Sequence, residues 1–259
     1  MYFSNMINVC LLGFGSVNFH LATAFVASKK VMINCIYNRS EIELPETFKN
    51  IPFTTKLKEI PESQVYIIGI TDDAIQSFSN AIPFKNKLVV HTSGGVSISK
   101  LNSKNRKGVF YPLQTFSNSS ELDFSKIPIC VEAENEEDTA LLIKLGSTIS
   151  ENVQKINSNK RETLHLAAVL VNNFTNHLFY IASEITKENN LDFSLLQPLI
   201  KETVQKLKTL NPIEAQTGPA LRNDNQTIEK HLHLLRDEQQ RELYKQLTES
   251  IQKTHGKKL

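Results

Sequence analysis

The chain has 259 residues, 40% of them hydrophobic and 22% charged, and a formal net charge of +2 at pH 7. That length buries one large core or two small ones, and that composition excludes a disordered chain. So mild a charge argues against nucleic acid as a partner, and apolar stretches broken by Gly, Asn and His argue against a membrane helix.

The first apolar run, residues 7–12, "INVCLL", ends at Gly13 and reads as a buried strand. Val17, Leu21, Ala24 and Phe25 follow at i, i+4, i+7 and i+8, one face of an amphipathic helix. Further short apolar runs are "VMINCIY" before "NRS", "QVYIIGI" before "TDD", "KLVVH" before "TSGG", and "KGVFYPL". "PICVEA" followed by "NEEDTALLIKLGSTI" adds one more strand and helix. Such alternation predicts an α/β fold, a doubly wound and mostly parallel sheet covered on both faces. Strand runs stop near residue 156. Residues 161–189 form one long helix pattern without Pro or Gly, then come 193–210 with Pro198 in the first turns, a Gly-Pro turn, and helical 226–252. We therefore expect a Rossmann-like domain over 1–155 and an all-helical domain over 156–259, with "THGKKL" as a frayed tail.

The cysteines Cys10, Cys35 and Cys130 are far apart, with no Cys-x-x-Cys, and "MYFSNMINVC" has no basic stretch before an apolar run. A cytoplasmic protein without a leader is the expectation. His231 and His233 are two apart on a helix and face different ways, so no metal site is expected.

Gly13 and Gly15 stand between a strand and a helix, the context a dinucleotide-binding fingerprint requires. Gly13 makes the tight turn, Gly15 lets pyrophosphate approach, and the helix start offers N–H groups and a positive dipole end. Phe14, Ser16 and Val17 complete the loop, and Asn18 stands where a third small residue usually packs helix against strand. The other reading is an ordinary strand-to-helix turn. About 20 residues on, an acid would grip the ribose. Here Asn38, Arg39 and Ser40 stand instead. A planar guanidinium suits a 2′-phosphate, so the expected cofactor is NADP; otherwise Arg39 is a solvated loop residue, and Glu41 and Glu43 lie close by.

In "LLGFGSVNFHLA", "GITDDAI", "VVHTSGG", "GVFYPLQTFS", "HLAAVLVNNFTNHL" and "QTGPALRNDNQTIEKHLHLL" the chain resembles the two-domain NADP oxidoreductases of unassigned substrate. These are relatives of pyrroline-5-carboxylate reductase, ketopantoate reductase and the beta-hydroxyacid dehydrogenases. The resemblance implies a Rossmann domain followed by a helical domain that closes the cleft and pairs subunits into a homodimer. Along the cofactor it would lay Thr71, Asp72 and Asp73, and then Thr92, Ser93 and Gly94; as plain structure, the aspartates cap a helix and Ser93-Gly94 makes a turn.

Hydride chemistry belongs to the cofactor, and the protein must orient substrate and manage a proton. At about 100° per residue, His165, Asn172, Asn176 and Ser183 fall within roughly 20° of one line, on a largely apolar helix. A polar stripe there needs partners. The related hydroxyacid dehydrogenases carry Lys-x-x-x-Asn on this helix, and here Ala168 or Val169 replaces the lysine. His165, one turn earlier, is the candidate proton donor, with Asn172 and Asn173 beside it; alternatively all three are packing residues. Tyr111, Gln114 and Arg222 are candidate substrate contacts; the alternatives are that Tyr111 and Gln114 simply finish a strand and that Arg222, rather than a carboxylate clamp, is a structural pair with Asp224. The expected function is NADP-dependent hydride transfer to or from a small carbonyl or imine, with a carboxylate on the substrate. Its competitors are a non-catalytic NADP-binding sensor and a Rossmann protein for FAD or an adenosyl cofactor.

Overall fold

Six of the apolar runs become strands of one sheet in the computed structural model, which describes residues 6–117 and 122–255. They are β1 (Ile7–Leu12), β2 (Val31–Tyr37), β4 (Val65–Ile68), β5 (Leu88–His91), β6 (Arg106–Pro112) and β7 (Ile129–Ala133). Two short edge strands complete it, β3 (Phe53–Thr54) and β8 (Val153–Lys155), both too brief to leave an apolar pattern. The order is β3-β2-β1-β4-β5-β6-β7-β8. The chain runs outward from β1 and returns at β4, so the switch point lies between these two parallel neighbours. All pairings are parallel except β6 with β7. Among the described residues between those two strands there is a single short 3-10 turn, Phe124–Lys126, and no crossover helix that a parallel return would need.

The helices are α1 (Ser16–Ser28), α2 (Asp72–Ala81), α3 (Glu136–Gly146) and α4 (Ser158–Ala168), then α5 (Thr175–Glu188), α6 (Gln197–Lys206), α7 (Pro212–Ala215), α8 (Asn225–Leu234) and α9 (Glu238–His255). Alternate residues of a strand face opposite sides. Val9 and Leu11 pack with Leu21 and Phe25 of α1 and with Leu142 and Leu145 of α3. Cys10 and Leu12 join Ile75 of α2 and Tyr66 in a second cluster. The sheet is thus covered on both faces, as a doubly wound fold requires.

The chain packs as two units, Met1–Asn172 and Asn173–Leu259. The expected long helix is helical throughout, but Val169–Phe174 is a π turn. A π turn holds one more residue than an α turn, so positions across it slip by up to roughly 100°. Asn172 therefore leaves the line of His165, and the polar stripe drawn with a uniform period is broken there. Residues 226–252 divide into α8 and α9, because the Asp237 carboxylate accepts the Gln240 N–H (2.9 Å) and starts a new helix. Thr254 and His255, the first residues of the expected frayed tail, are the last of α9, and the rest of that tail lies outside the described residues. No helix is long and apolar enough to cross a membrane, among the described residues.

Candidate functional site

The two glycines of the first turn are held to different standards. Gly13 has φ of 84°, in the left-handed region. A Cβ there would strike the Ile70 side chain and stand 3.0 Å from the Gly69 carbonyl oxygen. Its N–H donates to the Tyr37 carbonyl (2.8 Å), so the fold itself requires this glycine. Gly15 has φ of −81° and is the N-cap of α1, without a side-chain cap bond. A Cβ there would meet the Gly69 oxygen at 3.6 Å, an ordinary contact, and the residue is exposed. The protein leaves that position open at the N-terminus of a helix, where an anion is favoured.

The rest of the loop is anchored from beneath. Phe14 makes edge contacts with Phe19 and Phe48, and Val17 packs against the core, with Ser16 opening α1 between them. Asn18 is fully buried. Its Nδ2 donates to the carbonyls of Gly13 (2.6 Å) and Ile67 (3.2 Å), while its Oδ1 has no hydrogen-bond partner among the described residues. A Cβ at Gly69 would land on the Asn18 amide. Where a third small residue would let helix and strand approach, a small residue on β4's exit makes the room instead, and Asn18 ties β1 to β4 across the switch point. The side chain of Asn18 is thus spent within the fold.

Asn38, at the end of β2, accepts the Phe14 N–H on Oδ1 (3.3 Å) and donates from Nδ2 to the Ser40 carbonyl (2.9 Å). It joins the glycine loop to the loop that carries Arg39 and Ser40, both exposed. At the end of β4, Thr71 is the N-cap of α2, and Asp72 and Asp73 stand in its first turn, where negative charge suits the helix dipole; all three are exposed. At the end of β5, the Thr92 hydroxyl donates to the Ile68 carbonyl (3.4 Å), and the Ser93 hydroxyl accepts the N–H groups of Gly95 and Val96 (both 3.1 Å). Both side chains are buried and hold the loop's shape.

Gly94 is where the site's parts meet. A Cβ on it would lie 2.6 Å from His165 Nδ1 and 2.7 Å from Tyr111 Cζ. Only a bare backbone lets β6 and α4 bring these two rings together. The Tyr111 hydroxyl is 3.3 Å from His165 Nδ1, with the rings edge to face. A Cβ on Gly95 would lie 4.0 Å from His165 Nε2 and 3.7 Å from Asp72 Oδ2. Burial pushes the Tyr111 phenol above its ordinary range, the Cys130 and Asp72 side chains add to this, and Arg161 opposes it. Tyr111 therefore keeps its proton and is a donor suited to His165 Nδ1, which would leave the proton of a neutral imidazole on Nε2.

Among the described residues of the first unit, no hydrogen bond joins Gln114 or Asn172 to this cluster. Gln114 is exposed and its Oε1 accepts the neighbouring Thr115 N–H (2.8 Å). Asn172 and Asn173 are exposed in the π turn, on either side of the division between units. Arg222 is exposed in the second unit, where Asp224 caps α8 through the Thr227 N–H (3.1 Å). Thr227's hydrogen bonds lead in holding the Asp224 carboxyl below its ordinary range, with Arg222 a lesser cause. Sequence reasoning missed Arg161, which is fully buried and ion-paired with Glu132. The available signal was Glu132 itself, an acid inside the apolar strand "PICVEA".

A glycine turn at the switch point of a doubly wound sheet, with an exposed helix N-terminus, defines a protein of the Rossmann dinucleotide-binding class. A family described as a domain of unknown function (DUF2520) matches residues 127–251. No curated protein matches the chain. Among solved structures, it is similar to "putative NADP oxidoreductase BF3122" from Bacteroides fragilis, with 36% identity, 96% of this chain and 99% of that chain covered, and a TM-score of 0.88. Protein TM1727 from Thermotoga maritima is 20% identical with a TM-score of 0.78, covering 96% of this chain and 99% of that one. Pyrroline carboxylate reductase from Plasmodium falciparum, solved with NADP bound, is 14% identical with a TM-score of 0.63 and 97% of each chain covered. The last two share the fold. The chain belongs to the family of BF3122, Rossmann-fold proteins with a C-terminal helical part.

Proposed function

We propose that the protein is an NADP-dependent oxidoreductase that transfers a hydride to or from a small carbonyl or imine, with residues 1–155 holding the cofactor. The observation that carries this reading is the Tyr111–His165 hydrogen bond above the bare Gly94–Gly95 backbone, at the carboxyl ends of the strands. The likeness to the B. fragilis protein supports it. The residues present fit the dinucleotide: Gly15 is open, the first turn of α1 stands behind it, and Arg39 and Ser40 are exposed where a ribose-gripping acid would repel a 2′-phosphate. Bound NADPH would supply the hydride. His165, with Nδ1 occupied by Tyr111, would give its Nε2 proton to the substrate oxygen or nitrogen while taking the Tyr111 hydroxyl proton onto Nδ1, and solvent would restore the phenol. Three unpaired cysteines support a reducing compartment, the cytoplasm.

The test is oxidation of NADPH, followed by its absorbance, against a panel of small ketones, ketoacids and cyclic imines. Turnover of one class establishes the enzyme. Tight NADPH binding without turnover of any class supports the sensor instead. Mass spectrometry of the copurified ligand decides against FAD or an adenosyl cofactor, or for one of them.

Cofactor choice gives a further prediction. Replacing Arg39 with Asp removes a charged hydrogen bond, worth about 1.5–3 kcal/mol. NADPH affinity should fall by that amount in isothermal titration while NADH affinity holds or improves. A wild-type protein that binds NADH as tightly as NADPH would contradict the assignment.

The helical unit carries the case for a homodimer. Its described buried hydrophobics are Ala220 and Ile228, while Leu195, Leu199 and Val204 are each at least 60% exposed in the single chain. A helix of this kind needs a covering surface, since it gains most of its stability from burying its apolar face. A second copy is the simplest cover. Light scattering at micromolar concentration should give twice the chain mass, and a stable monomer would refute the dimer.

A further inference from the structure

We propose that Arg161 is the positioning residue of the Tyr111–His165 pair, through a buried ion pair that fastens the first turn of α4 to β7 and to the loop 92–98. The proposal rests on reading His165 as the reacting group. Arg161 is fully buried, one turn before His165 on the same helix face. Its Nη1 pairs with Glu132 Oε2 on β7. Its Nη2 donates to the Val96 carbonyl and to Ser158 Oγ, the latter at 3.3 Å. Ser158 donates its N–H and its hydroxyl to the two Glu132 oxygens (2.9 Å each) and accepts the Ile98 N–H (3.2 Å).

The loop is therefore held to α4 at two levels. Val96 and Ile98 are tied to the first turn, and Gly94 lies against the His165 ring one turn higher. Between them, Ser93 keeps the loop rigid by accepting the N–H groups of Gly95 and Val96. Tyr111 comes from a different element, β6, and its ring also lies against Gly94, so its distance to His165 depends on where α4 sits over the loop. At 3.3 Å that hydrogen bond is already long, and a displacement well under an ångström would break it.

A purely structural device here would more cheaply be apolar. A buried arginine–glutamate pair gives up its hydration, often without a net gain over hydrophobic residues of the same volume, and Arg161 Nε has no partner among the described residues. What the pair adds is direction: a planar fork that reaches an acid on one element and a carbonyl on another at once. The surroundings also keep other cations out. Burial, and then the Arg161 charge, push the neighbouring His91 down to about 3, so His91 is neutral and accepts the Ser93 N–H on Nδ1 (3.2 Å).

The experiment reads the His165 imidazole directly, with neither substrate nor NADPH present. Nitrogen NMR of ¹⁵N-histidine-labelled protein reports which ring nitrogen carries the proton; His165→Gln assigns the signal, and Tyr111→Phe gives the spectrum of an imidazole without its partner. Arg161→Lys keeps the charge and a bond to Glu132 but cannot also reach Val96. Its His165 signal should move from the wild-type pattern to that of Tyr111→Phe. Glu132→Gln, which keeps the acid's shape, should move it the same way, and it decides the matter if Arg161→Lys does not fold. A folded variant that melts lower but retains the wild-type His165 pattern overturns the proposal, because the ion pair would then be structural alone. A substrate screen that finds no turnover removes the reductase reading and leaves this outcome untouched.

Discussion

His165→Gln should fold, bind NADPH as the wild type does, and lose at least about 10²-fold in turnover, the lower end of what loss of a general acid costs. Glutamine has nearly the size of histidine and can hydrogen-bond Tyr111, yet it does not titrate near neutrality. His165 is partly exposed, and its ring lies against the Tyr111 ring and the backbone of Gly94 and Gly95. A melting temperature within a few degrees of wild type is therefore expected alongside the loss of rate. Rate constants for the best substrate of the imine and carbonyl panel, normalised to folded protein, are the measurement. Intact turnover in a protein that melts well below wild type would make His165 a packing residue. Tyr111→Phe should fall between the two, since it leaves the imidazole but frees its tautomer.

The sequence announced the sheet and left the site half legible. Runs such as "VMINCIY" and "INVCLL" are short, apolar and bounded by turn residues, and each became a strand at the expected residues because strands buried on both faces need unbroken apolar sequence. β3 and β8 stayed hidden because two or three residues at a sheet edge carry no period. The glycine turn was readable because a left-handed backbone at Gly13 and an open helix start are local properties. The meeting of His165 with Tyr111 was not, since it depends on two elements 54 residues apart and on the absence of a side chain at Gly94. The polar stripe failed for a different reason. A uniform 100° per residue assumes an α-helix throughout, and nothing in "VLVNNF" signals the π turn that displaces Asn172. Arg161 lies in a polar stretch reading "NKRETLH", and burial of such a group becomes visible only when Glu132 is placed beside it.

Gly15→Val should abolish measurable NADPH binding in a protein that remains folded, and Gly13→Ala should do the reverse of that by damaging the fold itself. The two glycines are two positions apart in one turn, yet their constraints come from different places. At Gly13 the backbone is left-handed, a conformation that costs an L-residue roughly 1–2 kcal/mol, and the added methyl would run into Ile70 as well. The substitution should lower the melting temperature whether or not cofactor is present. At Gly15 the backbone is one that any residue adopts, and the nearest atom to a new Cβ is the Gly69 oxygen at 3.6 Å, so the protein alone tolerates a side chain. Valine's two methyls would instead project from the open N-cap of α1, over the N–H groups that a pyrophosphate would use. Circular dichroism and thermal melting should match wild type for Gly15→Val, and titration calorimetry should show no NADPH binding at concentrations that saturate the wild type. If the folded valine variant binds NADPH as before, the pyrophosphate does not cross this turn, and the exposed helix start has to be explained without a dinucleotide.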